Sequence, residues 1–563
     1  MTVQLEQQST LRELWQRIFH DTTDAAQDRL LQLLDDRRQA LLADPPSQAG
    51  DTADPEWYRD AVIYCLYVDA YAGDFDGLTG RLDYLEKLGV NTLWLLPILD
   101  SPMRDQGFDI SDFRAIRPDL GGNEAFVRFV DQAHARGIRI LFDMAVNHSS
   151  DEHPWFREAR QNPDSPYRDY YIWSDQPDRY LDARLLFKGM VDSNWEYNDA
   201  TGDYYFHRFY AFQPDLNYRN PDLLIEMIDN MLFWKARGVD GLRMDAIPFI
   251  WKEEGTDCED LPTTHTILKL IRAALDYCQP GTLLIAEANM EPREVVSYFG
   301  DADECQTAYH FPLMPQFFMA LAEADYRHIR DALAPEVTPV IPESCCWMSF
   351  LRCHDELTLE FVTPDVRERM NRYYLHHPQY SFREGEGIAG RLFYLLREAP
   401  DKMLLMHSML CATEGSPILY YGDEVGMGND QAFFEQTSRQ TGFRDARFLN
   451  RGPMDWSKVE RALEHTESVE HQLFEGVRAI VRARREFAAC FHGPGRFMDL
   501  HDPALFGLAR QAGQTHLEIY HNLSDQPRHV ELPTAMRDVM TGQDTGRQVT
   551  LAGHAYCWLT PAD

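Results

Sequence analysis

From residue 61 onward the chain alternates two kinds of apolar patterning. Short runs in which nearly every residue is apolar give way to longer stretches with apolar residues at three- and four-residue spacing. The first kind predicts strands buried on both faces, the second amphipathic helices. Eight candidate strands stand out: AVIYCLYV from Ala61, NTLWLLPI from Asn91, RILFDMAV from Arg139 and GLRMDAI from Gly241, then TLLIAEA from Thr282, CQTAYHF from Cys305, WMSFLRCHD from Trp347 and PILYYGDE from Pro417. Segments such as GRLDYLEKLG, EAFVRFVDQAHARG and IEMIDNMLFWKARG lie between them. Strands alternating with helical segments predict an α/β fold with a parallel sheet. Eight such units predict a closed (β/α)8 TIM barrel. An open doubly wound sheet is the alternative, but no glycine-rich dinucleotide fingerprint follows an early strand.

The flanks are patterned differently. Residues from about 10 to 45 read as helical in LRELWQRIF and RLLQLLDDRRQALL, and DPPSQAGDTADP from Asp44 reads as a linker. Residues 1–55 are therefore expected to form a short helical extension, ahead of a barrel domain over 56–488. The gap between the third and fourth strands is too long for one crossover. Its polar, aromatic-rich content, at about 148–217, predicts a subdomain inserted after strand three, over the barrel mouth. From about Arg496 the runs ALFGLAR, HLEIYHNL, HVELP and AYCWLTP, separated by turn residues, predict a C-terminal antiparallel β domain over 489–563.

Composition narrows the class. Of 563 residues, 44% are hydrophobic and 12% aromatic, enough for a large core. No stretch approaches the ~20 uninterrupted apolar residues of a membrane span. The start, MTVQLEQQSTLREL, has neither the basic nor the apolar segment of a secretory signal. The ten cysteines show no C-x-x-C spacing, and only Cys345 and Cys346 are adjacent. Reduced thiols in the cytoplasm are the expectation. A formal charge of −36 implies a solvated acidic surface and argues against nucleic acid as a partner. The expected partner is a small molecule; oligomeric state stays open.

Polar residues at the C-terminal ends of barrel strands face the active site. Here those ends are dense in acids and histidines. Strand three ends in FDMAVNH, with Asp143, Asn147 and His148. Strand four ends in GLRMDA, with Arg243 and Asp245 on one face. Strand five ends at Glu287, strand seven at His354 and Asp355, and GFD after strand two adds Asp109. Glycoside cleavage needs one carboxylate at the anomeric carbon and one protonated carboxyl for the leaving oxygen. Arg243 would keep Asp245 ionised, and Asp355, Asp109, His148 and His354 suit sugar hydroxyls.

FDMAVNH, GLRMDA, AEA and RCHDE resemble, in order, the four signature regions of the α-amylase family, and GFDISDF and QPDLN two accessory regions. The resemblance runs from about Trp57 to the end. It implies a retaining enzyme with Asp245 as nucleophile, Glu287 as acid/base and Asp355 as third essential carboxylate. Asp109, His148, Arg243 and His354 would line the subsite of the reacting sugar. Phe108 stands where the family usually has a stacking tyrosine. Within the family, the interior (SNWEYNDATGDYYFHRFYAFQPDLNY, EGTDCEDLPTTH, FLRCHDELTLE) resembles trehalose synthases, which interconvert maltose and trehalose. The N-terminal extension, VDAYAGDFDGL and DARFLNRGPMDW resemble amylosucrases and sucrose hydrolases.

The resemblance carries two further expectations. Trehalose synthases commonly hold calcium with residues equivalent to Asn147 and Asp215, but Lys252 stands where a calcium-binding glutamate is expected. We therefore expect no metal cofactor, the Lys252 ammonium replacing the cation. Asp105 and Arg447 are expected to close the far wall of the sugar pocket as an ion pair, admitting one terminal glucosyl unit. Three readings follow: a trehalose-synthase-like glucosyl mutase or hydrolase, favoured by the interior; a sucrose-active glucosyltransferase or hydrolase; and, remotely, a non-catalytic relative.

Overall fold

A computed structural model describes residues 2–20, 24–50, 54–187, 190–442 and 444–562. The expected linker after Asp44 therefore lies partly outside the described residues, at 51–53. All eight candidate strands form: β1 (Ile63–Leu66), β2 (Thr92–Leu95), β3 (Arg139–Ala145), β4 (Gly241–Asp245), β5 (Leu283–Ala286), β6 (Thr307–Tyr309), β7 (Cys346–Phe350) and β8 (Ser416–Tyr420). Each pairs in parallel with its sequence neighbours, and β8 closes on β1 through Ile63 opposite Ile418. The strands are shorter than their apolar runs, and residues just past them, such as Glu287, His354 and Asp355, line the mouth. In β2 every side chain is buried, as a strand between a packed interior and a helical ring requires.

The crossovers show why they are helical. The helix at Pro221–Lys235 starts with Asn220 accepting from the Asp222 amide and Pro221 in the first turn. The one at Pro262–Cys278 opens with a proline and buries Ile267, Leu268, Ile271 and Leu275 on one face. The N-terminal helices, α1 (Thr2–Ile18) and α2 (Asp24–Ala43), cover more chain than the 10–45 expected and dock on this outer ring. Gln4 and Gln8 both donate to the Tyr277 hydroxyl at 3.0 Å, and Arg37 pairs with Asp229 at 2.6 Å.

Between β3 and β4 the insertion forms a three-stranded antiparallel sheet, Trp173–Ser174, Trp195–Asn198 and Asp203–Phe206. A β-bridge between His148 and Asp215 fastens its return to the end of β3. A small sheet within 357–388, after β7, has no counterpart in the apolar pattern. Beyond the barrel the chain forms antiparallel strands centred on Leu505–Ala512, Thr515–Asn522 and Tyr556–Pro561. The HVELP run sits apart, pairing only with Gln548–Leu551. Among the described residues, no helix is long and apolar enough to cross a membrane.

Candidate active site

The strand ends converge on a pocket of about 170 Å3 at the C-terminal mouth of the barrel. That is below the ~300–1,000 Å3 of clefts for drug-sized ligands, so it has room for one small ring. Its floor is organised by Arg243, which β4 buries to 3% exposure. The guanidinium donates to Asp143 and, at 2.9 Å, to Asp245, and lies 3.6 Å from Glu287. One cation thus serves three carboxylates from β3, β4 and the end of β5. Trp94 of β2 adds an indole N–H to Asp143 at 3.0 Å.

Burial shifts two of these carboxylates upward. Burial pushes Glu287 up to about 8, and the Asp245 charge adds to the rise; Arg243 and a 3.0 Å bond from the Ala246 amide only partly oppose them. Burial likewise raises Asp143 to about 6, with Arg243 opposing. Arg243 itself is opposed by burial, yet its three carboxylate partners hold its pKa well above the usual range. At neutral pH the site therefore holds a protonated Glu287 beside a cation. Ala246, which supplies the amide, has φ of +59°, a left-handed conformation costly for a residue with a Cβ. The turn after Asp245 is thereby aimed at Glu287.

On the opposite side Asp355 is gripped from three directions. His354 Nε2 lies 3.0 Å from one oxygen, and Arg447 and Arg451 reach the other at 3.0 and 3.2 Å. Burial works to raise its pKa, but His354 and the two guanidiniums hold it well below the usual carboxylate range. Burial lowers the pKa of both His148 and His354, favouring neutral rings. Phe108 stacks on His354, with ring centroids 5.9 Å apart and planes at 24°. It presents a ring to the pocket as a tyrosine would, without the hydroxyl.

Asp245, Glu287, Asp355, Phe108, His148, Arg243, His354, Asp105 and Arg447 all line the pocket. Asp109 does not. It is fully buried, accepting from the Ser101 hydroxyl at 2.9 Å and from the Arg104 and Asp105 amides. It holds the loop after β2 in shape, and its neighbour Asp105 is the acid that this loop delivers to the site. The expected Asp105–Arg447 ion pair also needs correction. Both face the pocket, but Asp105 is held by Gln213 at 2.9 Å while Arg447 engages Asp355 and Asp445. Burial raises Asp105 to about 6 against the pull of Arg447.

Sequence reasoning overlooked Arg451, Asn289, Phe187, Phe209 and Arg383, which also line the pocket. Arg451 was findable: it lies one helical turn beyond Arg447 in the quoted DARFLNRGP. Asn289, Phe187 and Phe209 sit in loops without periodicity, and Arg383 opens a three-residue 3-10 turn. A second cavity of about 150 Å3 shares Phe187, Phe209, Glu287, Asn289 and Arg383 with the first, so the space continues past Glu287.

Lys252 does not point to solvent. Its ammonium lies 2.7 Å from both Asn147 Oδ1 and Asp215 Oδ2, and the lysine and aspartate side chains are 2% and 0% exposed. Cys353, His354 and Asp355 also offer ligand atoms within 4.8 Å of one another. However, His354 and the two arginines already occupy both Asp355 oxygens, and the guanidiniums repel a cation.

A carboxyl raised in pKa by burial, Glu287, facing a second carboxylate, Asp245, across one guanidinium at the mouth of a TIM barrel forms the two-carboxyl arrangement that work on a glycosidic bond requires. The sequence agrees with that class: residues 15–373 match the description "Alpha amylase, catalytic domain", and the chain belongs to the α-amylase family. It is 47% identical, over 68% of its length, to the trehalose synthase/amylase TreS of Mycobacterium tuberculosis, and this match spans 65% of that relative. It is 37% identical to the trehalose synthase of Pimelobacter, over 91% of this chain and 96% of the relative. The solved isomaltulose synthase of Klebsiella shares its fold, with a TM-score of 0.69 at 21% identity over 90% of this chain and 99% of the other.

Proposed function

We propose that the chain is a retaining enzyme of small α-glucosides that interconverts maltose and trehalose through a covalent glucosyl-enzyme. The observation that carries this reading is the convergence of Asp245 and Glu287 on Arg243 in a one-ring pocket, where burial raises the Glu287 pKa to about 8. A carboxylate oxygen of Asp245 attacks the anomeric carbon, the glycosidic C–O bond breaks, and Glu287 gives its proton to the leaving oxygen. The ionised Glu287 then takes a proton from an incoming hydroxyl as that oxygen attacks the anomeric carbon and Asp245 leaves. If the incoming hydroxyl is the 1-hydroxyl of the released glucose, maltose becomes trehalose; if it is water, the result is hydrolysis.

Asp355, ionised and fixed by two arginines, is placed to accept hydrogen bonds from ring hydroxyls, with His148, His354, Asp105 and Arg447 completing the cage. Phe108 provides the stacking face. The second cavity, on the far side of Glu287, supports a disaccharide substrate, since it gives the released sugar a place to stay. The names of the trehalose synthases at 47% and 37% identity support the same reading.

We further read Lys252 as the internal replacement for a metal cation between Asn147 and Asp215. The working compartment is read as the reducing cytoplasm, consistent with ten free, buried cysteines. The test is incubation with maltose, with the anomeric protons followed by NMR. Accumulating α,α-trehalose with little free glucose is the expected result. Untouched maltose with turnover of sucrose would replace this reading by the sucrose-active one.

A further inference from the structure

The chain carries 90 acidic against 54 basic side chains, so a cleft walled by cations and no carboxylate runs against its composition. One exists away from the barrel mouth. A cavity of about 250 Å3 is lined by Arg372, Arg397 and Lys402, with Tyr373, Leu395 and Leu396 on its apolar side. It shares no residue with the catalytic pocket. Arg372 and Tyr373 come from the end of the helix at Pro364–Tyr374, and Lys402 from the first turn of the helix at Pro400–Ala412.

The cations are available. Among the described residues, neither Arg397 nor Lys402 forms an ion pair. Arg372 pairs only with Glu368 on its own helix, and both side chains are well exposed, so that bond exchanges readily with another anion. The nearby acids turn elsewhere: Glu398 and Asp401 do not line the cavity, and Asp401 accepts from Gln472 at 3.0 Å. The backbone at the rim is unusual as well. Arg397 and Glu398 have φ of +57° and +56°, two successive left-handed residues that both carry a Cβ. Bonds from their amides to Tyr394 and Phe393 hold the turn that brings Arg397 to the cavity.

We propose that this cleft binds a sugar phosphate of about hexose size. The phosphate sits among Arg397, Lys402 and Arg372, where guanidinium forks match phosphate oxygens. The apolar face of the sugar lies against Tyr373 and the two leucines. The volume is below that of drug-sized clefts, so a single ring with one phosphate suits it better than a nucleoside triphosphate.

The test is calorimetric titration of the full chain at low ionic strength with glucose 6-phosphate, inorganic phosphate and glucose. We expect saturable binding of glucose 6-phosphate that exceeds that of phosphate. It should weaken at least about tenfold, or 1.4 kcal/mol, in an Arg397→Gly, Lys402→Gln variant. Glycine accepts the φ that Arg397 adopts, so this variant is expected to keep its Tm; Arg372→Gln, at an exposed helix position, is the second probe. Absence of saturable binding, or binding unchanged in both variants, would overturn the site. Equal affinity for phosphate and glucose 6-phosphate would overturn its sugar half. The outcome is independent of whether maltose is a substrate.

Discussion

Replacing Lys252 by methionine removes a buried charge whose partner stays behind. The ammonium lies 2.7 Å from Asp215 and from Asn147, and the Asp215 side chain is wholly inaccessible to water. Without the lysine, the Asp215 carboxylate keeps the Arg208 amide at 2.9 Å and loses its counter-charge. Removing one member of a buried pair costs about 3–5 kcal/mol, most of it the penalty of the stranded ion. At roughly 0.85 °C per kcal/mol for a chain this long, Tm should fall by roughly 2.5–4 °C. Asp215 also bridges the inserted subdomain to His148 at the end of β3, so activity should fall with stability. Thermal unfolding at a fixed scan rate measures the loss. A Lys252→Met, Asp215→Asn double variant should recover most of it, because both charges are then absent. A Lys252→Glu variant, which restores a carboxylate, should gain stability on adding calcium, whereas the wild type should not. Loss of less than about 1 kcal/mol in Lys252→Met, within the range of an exposed pair, or a calcium-dependent Tm in the wild type, would refute the role assigned to the ammonium.

Other expectations are checkable with the same protein. With maltose, whose leaving sugar oxygen needs a proton, kcat/KM should fall as pH rises through about 8, where Glu287 loses its proton; a profile unchanged from about pH 7 to beyond about 9 would exclude it as the acid. Because burial raises the folded-state pKa of Glu287, its ionisation opposes folding increasingly between its unfolded value and about 8. Glu287→Gln should therefore be more stable than wild type at pH 8 and equal to it at pH 4. The same variant should lose ~10²–10⁴-fold in kcat on maltose, much less with a leaving group that needs no proton. Arg447→Ala should raise KM for the disaccharide by freeing Asp355; unchanged turnover with polymer still uncut would dismiss it as part of the pocket wall. Asp109→Asn should lower Tm by loosening the loop after β2, with a smaller effect on KM than Asp105→Asn, measured on the same substrate.

The barrel was legible in the sequence because its determinants are local. A strand buried on both faces must be continuously apolar, a crossover helix must repeat its apolar residues every three to four positions, and eight alternations leave little choice of architecture. The strand-end acids were legible for the same reason: once Asp143, Arg243 and Asp245 are on strands, the two-residue period sets their faces. Loops have no period. Asp105 and Asp109 lie four residues apart after β2, and only the folded loop decides that the first meets substrate space while the second is buried under Ser101 and two amides. The grip of Arg447 on Asp355 joins residues 92 positions apart, through a contact that no local pattern encodes. The protonation of Glu287 is tertiary in the same sense. Its carboxyl is ordinary in the sequence, and becomes a proton donor only because the barrel mouth buries most of it and sets Asp245 beside it.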